Sequence, residues 1–204
     1  MTQLLSVQNS TPPPTYPQKG KLIVLTGPSG VGKGTLVRSL LECYPELYFS
    51  ISVTTRAPRP GEIHGKHYYF VSRDDFKAMI DRKELLEWAE FAGNYYGTPR
   101  TAVTEQVAQG KCVILEIELE GARQIRESYP EARQIFILPP SLAELEHRLR
   151  SRGQDSDEAI VRRLQRAQTE MDAAKEFDVQ IVNDHFETAL NAISGAVFSF
   201  CSSV

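Results

Sequence analysis

The sequence predicts an α/β fold in which a parallel sheet is flanked by helices, and three observations support this prediction. An apolar strand pattern at 22–26 leads directly into a glycine-rich loop and a helical pattern at 35–43. Further apolar strand patterns follow, separated in several places by helical patterns, at 48–52, 112–117, 135–138 and 179–182. The length of 204 residues and the 41% apolar content allow a sizeable core. Alternating strands and helices imply crossover connections, which gather loops and helix N-termini at the carboxyl ends of the strands.

The loop after the first strand has the residue types of a nucleotide-phosphate cradle. Gly27, Gly30 and Gly32 lack a Cβ, so the backbone can turn tightly and aim N–H groups at phosphate oxygens. Lys33 adds a mobile positive charge. The alternative is a glycine-rich turn that only packs a strand against a helix. The strand context and the Gly-Lys pair favour phosphate binding.

The position after the lysine departs from the strict motif. Ser or Thr is expected there because its hydroxyl binds Mg²⁺, whereas this chain has Gly34 followed by Thr35. One step along a helix turns a side chain by about 100°. Thr35 is therefore only a candidate metal ligand, and no direct protein ligand is assigned. Substrate phosphates and water are expected to hold more of the Mg²⁺. This Gly-Lys-Gly-Thr version resembles the loops of adenylate-kinase-type enzymes.

Charge and hydropathy argue against several classes of partner. The net charge is −3 and the pI about 5.9, so broad attraction to nucleic acid or to anionic membranes is not expected. No apolar run approaches the roughly 18 residues that cross a bilayer, and no signal-peptide pattern is present. The three cysteines, Cys43, Cys112 and Cys201, are too few and too scattered for a disulfide framework. We therefore predict a protein of the reducing cytoplasm.

Composition divides the chain into a tail, a core and two insertions. Residues 1–19 are polar and proline-rich, which predicts a flexible spacer tail or, alternatively, a ligand for a proline-recognition domain. The first insertion, 53–100, has a strand pattern at 68–71 and a helical pattern at 74–81. The second insertion, 141–164, has Arg-rich helical patterns on both sides of Gly153, which is the composition of a lid. Gly153 is the predicted helix stop, and Asp155 or Ser156 is the predicted start of the next helix. The remaining segments form the predicted core: 20–52, 101–140 and 165–204.

The first insertion carries several short motifs in a particular order. They are S-V-T-T-R-A-P-R-P-G-E at 52–62, G-K-H-Y-Y-F-V at 65–71, E-W at 87–88 and G-N-Y-Y-G-T at 93–98. In these motifs the chain resembles the guanylate kinase family, and the resemblance extends over nearly everything from Lys21 onward. It implies a P-loop NTPase-type core with an inserted GMP-binding lobe and a helical lid. It also implies that ATP, with Mg²⁺, phosphorylates GMP, and dGMP as well.

The resemblance assigns residues to both substrate sites. The implied ATP-binding residues are Gly27, Pro28, Ser29, Gly30, Val31, Gly32, Lys33, Gly34 and Thr35, with Asn183 and Asp184 at the adenine. The implied GMP-binding residues are Ser52, Arg56, Arg59, Tyr68, Glu87, Tyr96, Thr98, Glu116 and Glu118. The implied catalytic residues are Lys33, Arg56, Arg148, Arg152 and Arg163.

The chemistry of the implied GMP site agrees with these residue types. Arg56 and Arg59 offer planar, permanently charged guanidinium groups that suit a phosphate dianion. Tyr68 and Tyr96 offer hydroxyl donors to the same phosphate. An ionised Glu87 only accepts hydrogen bonds, and guanine presents two adjacent donors, N1–H and the N2 amino group. Adenine would present an acceptor there, so a buried carboxylate would reject it. Ser52 and Thr98 supply the hydroxyls beside the base, with Thr98 where the family has serine.

Other assignments leave alternatives open. The family has D-x-D-x-Q-G where this chain has E-I-E-L-E-G, so Glu116 and Glu118 either lie near guanine and hydrated magnesium or form salt bridges with arginines of the site. Asn183 and Asp184 either contact adenine or form a simple turn. The unassigned lid arginines are expected on a solvated charged face: Arg150, Arg162 and Arg166.

The resemblance leads to a mechanism and to two rival functions. The attacking GMP oxygen is already ionised, so positioning and charge neutralisation carry the reaction and no general base is assigned. One rival is a guanylate-kinase-like binding module without catalysis, which the intact Lys33 disfavours. The other rival is a kinase for a different phosphorylated acceptor, which Glu87 disfavours. Protein partners cannot be predicted from the residues.

Overall fold

The computed structural model describes residues 20–151, 153 and 156–202, and it confirms the predicted α/β fold. A five-stranded sheet has the order β2-β7-β1-β8-β9, and all of its pairs are parallel. Its strands are β1 (Lys21–Thr26), β2 (Tyr48–Phe49), β7 (Cys112–Glu116), β8 (Arg133–Leu138) and β9 (Val179–Val182). The carboxyl ends of β1, β2 and β7 therefore face the same edge, as the crossover pattern predicts.

Helices cover both faces of this sheet, which explains why four consecutive residues of β1, at 22–25, are apolar. Ile23 and Leu25 pack into one core cluster, and Leu22 and Val24 pack into a second one on the other face. The helices are α1 (Lys33–Cys43), α2 (Arg73–Asp81), α3 (Arg100–Ala108), α4 (Leu119–Ser128), α5 (Leu142–Ser151), α6 (Asp157–Asp172) and α7 (Phe186–Cys201). The first cluster contains residues of α1 and α7, and the second contains residues of α3 and α4.

A second, four-stranded sheet is formed by strands that follow Ser52. Its order is β4 (Tyr69–Phe70), β3 (Val53–Thr54), β6 (Asn94–Pro99) and β5 (Leu85–Phe91). Strand β6 runs antiparallel to both β3 and β5. Strand β5 is last in the order and therefore lies at an edge of the sheet. Val53, Phe76 and Leu85 form a separate small core between this sheet and α2. The sheet thus has apolar packing of its own, independent of the five-stranded sheet.

Helices α5 and α6 pack on each other through Leu145, Leu149, Ile160 and Ala167. Helix α6 begins after Ser156, whose hydroxyl accepts a hydrogen bond from the Ala159 N–H as an N-cap. The predicted helix start at this point is therefore present. The other insertion also follows its predicted pattern, with β4 inside 68–71 and α2 beginning one residue before 74.

The cysteines differ from the prediction. Cys112, at the start of β7, and Cys201, at the end of α7, form a disulfide with a Cα–Cα distance of 6.2 Å. Their separation of 89 residues hides the contact from sequence spacing, because it depends on where α7 packs. Cys43 is free and exposed. Within the described part of the chain, no helix is long and apolar enough to cross a membrane.

Candidate active site

A cavity of about 520 Å³ lies at the carboxyl edge of the five-stranded sheet and extends to the second sheet. It brings together predicted residues from both sides. Those from the glycine-rich loop and its helix are Ser29, Gly30, Gly32, Lys33, Gly34 and Thr35. Those from other segments are Ser52, Arg56, Arg59, Tyr68, Glu87, Tyr96, Glu116, Glu118 and Arg163. Glu87 and Arg163, which are distant from Lys33 in the sequence, thus line the same cavity as this lysine.

The glycine-rich loop is braced from behind by Asn183. Gly32 has a φ of +102°, and a Cβ there would lie 2.7 Å from the Asn183 amide nitrogen. That buried nitrogen donates to the Val31 carbonyl at 2.8 Å, and the Asn183 backbone N–H donates to the Leu138 carbonyl at 2.7 Å. Asn183 does not line the cavity, so the structure gives it a bracing contact with the loop. Asp184 is exposed beside it.

Lys33 begins α1, where the phosphate-loop pattern requires it. Its ammonium group donates to the Gly27 carbonyl at 2.5 Å and to the Pro28 carbonyl at 3.2 Å. These two carbonyls hold the charge at the mouth of the loop. Pro28 and Val31 complete the loop without lining the cavity.

Arg38 is a cavity residue that the sequence analysis missed. It lies four residues after Gly34, one turn farther along the same face of α1. Its charge and that of Lys33 lower the pKa of Glu116, but burial has the larger effect and raises that pKa overall. The i, i+4 spacing from the loop was the signal that could have identified Arg38.

The lid arginines divide into different groups. Arg163 lines the cavity and donates to the Ser29 hydroxyl at 2.8 Å. Arg148 does not line it; its guanidinium bonds to Glu144 at 2.8 Å and to the Asn183 carbonyl at 3.0 Å. The predicted site residue Arg152 lies outside the described residues.

Arg56 has an acidic partner that the sequence analysis also missed. Its guanidinium donates to both carboxylate oxygens of Glu62, at 2.9 Å each, and lies over the Tyr68 ring. The Arg59 backbone N–H donates to the same carboxylate at 2.7 Å. Hydrogen bonding to Arg56 is the main reason why the pKa of Glu62 is lowered. The R-A-P-R-P-G-E segment at 56–62 is therefore closed into a turn by its own glutamate.

Glu87 is buried at the other end of the cavity. The Thr98 hydroxyl donates to its Oε1 atom at 2.6 Å, so this hydroxyl contacts the carboxylate and does not itself line the cavity. Burial raises the pKa of Glu87 to about 7; the Thr98 hydrogen bond opposes this shift, and the charge of Glu118 adds to it. Glu87 is thus a carboxylate whose charge changes near neutral pH.

Glu118 and Arg166 connect the site to α6. Glu118 Oε2 is buried, has no hydrogen-bond partner within the described chain, and lies 4.0 Å from Arg166 Nη2. Arg166 also bonds to the buried Glu170 at 2.7 Å and lies 4.3 Å from the ring centre of Phe91 in β5. The prediction of a solvated face therefore holds only in part for Arg166: its side chain is 40% exposed, but it also contacts Phe91 of the second sheet. Arg150, in contrast, pairs with Glu146 and Asp157 at the surface.

The fold and the site together define a class of protein. A lysine-bearing loop between a strand and a helix faces a carboxylate pocket across one cavity, as in P-loop kinases of nucleotide substrates. The family model described as guanylate kinase matches residues 19–199. The chain therefore belongs to the guanylate kinase family.

Individual relatives agree with this assignment. Guanylate kinase from Trichormus variabilis is 66% identical over 97% of this chain and 100% of its own length. Guanylate kinase from Thermosynechococcus vestitus is 69% identical over 90% of this chain and 96% of its own. The crystal structure of guanylate kinase from Anaplasma phagocytophilum has a TM-score of 0.78 at 34% identity, covering 93% of this chain and 90% of that one. The activity is ATP-dependent phosphorylation of GMP to GDP.

Proposed function

We propose that the two ends of the cavity bind the two substrates of this reaction, with ATP phosphates at the glycine-rich loop and GMP at the second sheet. The single observation that supports this assignment of the two substrates is that Lys33 and Glu87 line the same cavity. Direct transfer needs donor and acceptor within reach of each other, with water excluded. In this assignment dGMP is accepted as well, because the proposed contacts are to the phosphate and to guanine and none is to the ribose 2′-hydroxyl.

On the ATP side, Lys33 and Arg163 offset phosphate charge beside the backbone N–H groups of the loop. Arg163 has support from its position in the cavity and its bond to Ser29. Arg148 would have to exchange its contact with Glu144 for a phosphate. Arg152 is proposed for the same task on the resemblance alone. Asn183 contributes by bracing the loop.

On the GMP side, Arg56, Arg59, Tyr68 and Tyr96 bind the phosphate, and Glu87 binds the guanine edge. Arg56 is already oriented by Glu62, so little side-chain entropy remains to be lost when a phosphate binds beside it. Ionised Glu87 accepts hydrogen bonds from guanine N1–H and N2, while the Thr98 hydroxyl donates to one lone pair of its Oε1 atom. Ser52 lines the cavity as a hydroxyl partner for the base.

The residues present fit a hydrated Mg²⁺ between the two sites. The Glu116 carboxylate lies beside Gly34, since a Cβ there would be 3.7 Å from both carboxylate oxygens. Glu118 Oε2 is a buried acceptor without a hydrogen-bond partner in the described chain. In the described ranges, no group of three or more His, Cys, Asp or Glu side chains is arranged to hold a metal. Mg²⁺, when bound, supplies charge neutralisation on the phosphates, with Glu116, Glu118 and Thr35 orienting its water.

A substrate panel tests this proposal against its rivals. Purified protein is mixed with ATP, Mg²⁺ and one of GMP, dGMP, AMP, UMP or dTMP, and ADP formation is measured. We expect ADP with GMP and dGMP only. No ADP with any acceptor would favour a binding module, and a preference for another acceptor would remove Glu87 from guanine recognition.

A cytoplasmic location is proposed as well, on the basis of composition, and cell fractionation would test it.

A further inference from the structure

Helix α4 docks directly onto the exposed edge of β5, next to Glu87. The Trp88 backbone N–H donates to the Gln124 side-chain oxygen at 3.1 Å, and the Gln124 side-chain nitrogen donates to the Trp88 carbonyl at 2.7 Å. One amide side chain therefore satisfies both backbone groups that an additional strand would otherwise pair. The residue adjacent to the base-binding carboxylate is thus fixed to a helix that follows the core strand β7.

Gly121 lets the same helix approach Glu87 itself. A Cβ at Gly121 would lie well inside van der Waals contact of Glu87 Oε2 and 2.9 Å from Glu87 Cδ. Gly121 is buried in the first turn of α4. The other carboxylate oxygen is held by Thr98. Glu87 thus lies between a hydroxyl and a helix backbone, and a side chain at position 121 would displace its carboxylate.

We propose that Gly121 and Gln124 are positioning residues that determine specificity, because they set where the Glu87 carboxylate lies. This inference rests on the proposed role of Glu87 in binding guanine. Gly121 sets how closely the Glu87 carboxylate approaches the backbone of α4. Gln124 holds strand β5, which carries Glu87, against the same helix. The geometry of base recognition is therefore set by a helix of the five-stranded core and not by the second sheet alone.

The decisive variant is Gly121→Ala, compared with Gly195→Ala. Gly195 is also helical, in α7, and a Cβ there meets no atom within 4 Å, so it controls for the general effect of alanine in a helix. We measure kcat and KM for GMP and for inosine monophosphate, which lacks the 2-amino group. Displacement of Glu87 removes the bond to this group, so Gly121→Ala should lower the preference for GMP over inosine monophosphate roughly tenfold. The KM for ATP should not change.

Gln124→Met is a second, milder variant that removes both hydrogen bonds to Trp88 at nearly constant volume. We expect the same preference to fall roughly threefold, because β5 can then shift relative to α4. If Gly121→Ala does not fold, as judged by circular dichroism, Gln124→Met decides the question.

Two outcomes would overturn the inference. One is an unchanged preference for GMP in the folded variants. The other is an equal loss of activity on both nucleotides, which would mean that these residues only support the fold. If wild-type protein itself fails to phosphorylate GMP, the proposed function fails first, and the wild-type assay reveals this before any variant is compared.

Discussion

The two ends of the cavity are built in different ways. The proposed phosphate end is one continuous segment, 27–33, in which the lysine is held by carbonyls five and six residues away. The proposed base end is assembled from distant segments, with Glu87 on β5, Thr98 on β6 and Gly121 on α4. A cradle for charge can be encoded locally, whereas a selective pocket needs several elements to be fixed relative to one another.

This difference suggests how each end should respond to mutation. Damage at the phosphate end should affect every acceptor equally, because all reactions use the same ATP. Damage at the base end should affect GMP alone. Variants at the two ends should therefore differ in which substrate's kinetics they change.

Lys33→Ala should lower kcat by roughly a hundredfold or more, as the loss of a charge contact in the transition state usually does. The reason is that the variant removes the ammonium group that the Gly27 and Pro28 carbonyls hold beside the loop. Steady-state kinetics with ATP and GMP measure the effect. Lys77→Ala, which removes an exposed lysine of α2, is the control. A turnover near that of wild type would contradict the assignment of Lys33.

Glu87→Gln should raise the KM for GMP by roughly tenfold to a hundredfold, because an amide nitrogen would face guanine donors. The KM for ATP should stay unchanged, and this distinguishes the base end from the phosphate end. Glu90→Gln, three positions along the same strand and exposed, is the matched control. Unchanged GMP kinetics would remove Glu87 from base recognition.

Lower pH should weaken GMP binding through the same residue. The pKa of Glu87 is raised to about 7, so the protonated form dominates below that pH and loses one acceptor. The KM for GMP should rise by up to about tenfold per pH unit below 7, with no such change for ATP. Glu87→Gln should lack this dependence, and a wild-type KM that is flat between pH 6 and 8 would be inconsistent with it.

The same shift has an opposite consequence for stability. A carboxyl group whose folded pKa is raised contributes stability that is fully present below its unfolded pKa of about 4.5. That contribution is lost as the pH rises through about 7. Chemical unfolding of wild type and Glu87→Gln across this window should show the contribution in wild type only.

The smallest effect is expected from Asn183→Ala. The variant removes the hydrogen bond to the Val31 carbonyl, which should lower the free energy of unfolding by about 1 kcal/mol. Because the phosphate loop loses its brace, the KM for ATP should rise while the preference among acceptors stays the same. Asn191→Ala, exposed in α7, is the control, and a change in acceptor preference would show that the two ends are not separable.

Sequence reasoning worked best where the chemistry is contiguous. The glycine-rich loop, the strand patterns and the fold class depend on neighbouring residues, so periodicity and motif spacing were sufficient to predict them. Ser156 as a helix cap belongs to the same category, because capping involves residues only three positions apart.

It failed where the outcome depends on packing. Arg166 has the composition of a surface residue, yet α6 places it against Phe91 and Glu118. Cys112 and Cys201 meet only because α7 ends beside β7. Glu62 was missed because nothing in its local pattern distinguishes an exposed glutamate from one that bonds to Arg56.

The sequence by itself determined the glycine-rich loop, the parallel sheet and the resemblance to a family, since each follows from residues close together in the chain. Only the tertiary structure decided how Glu87 is held between Thr98 and the backbone of α4, and that Asn183 braces the loop. The physical reason is that burial and close approach depend on elements distant in sequence. Burial raises the pKa of Glu87, and close approach leaves no room for a side chain at Gly121.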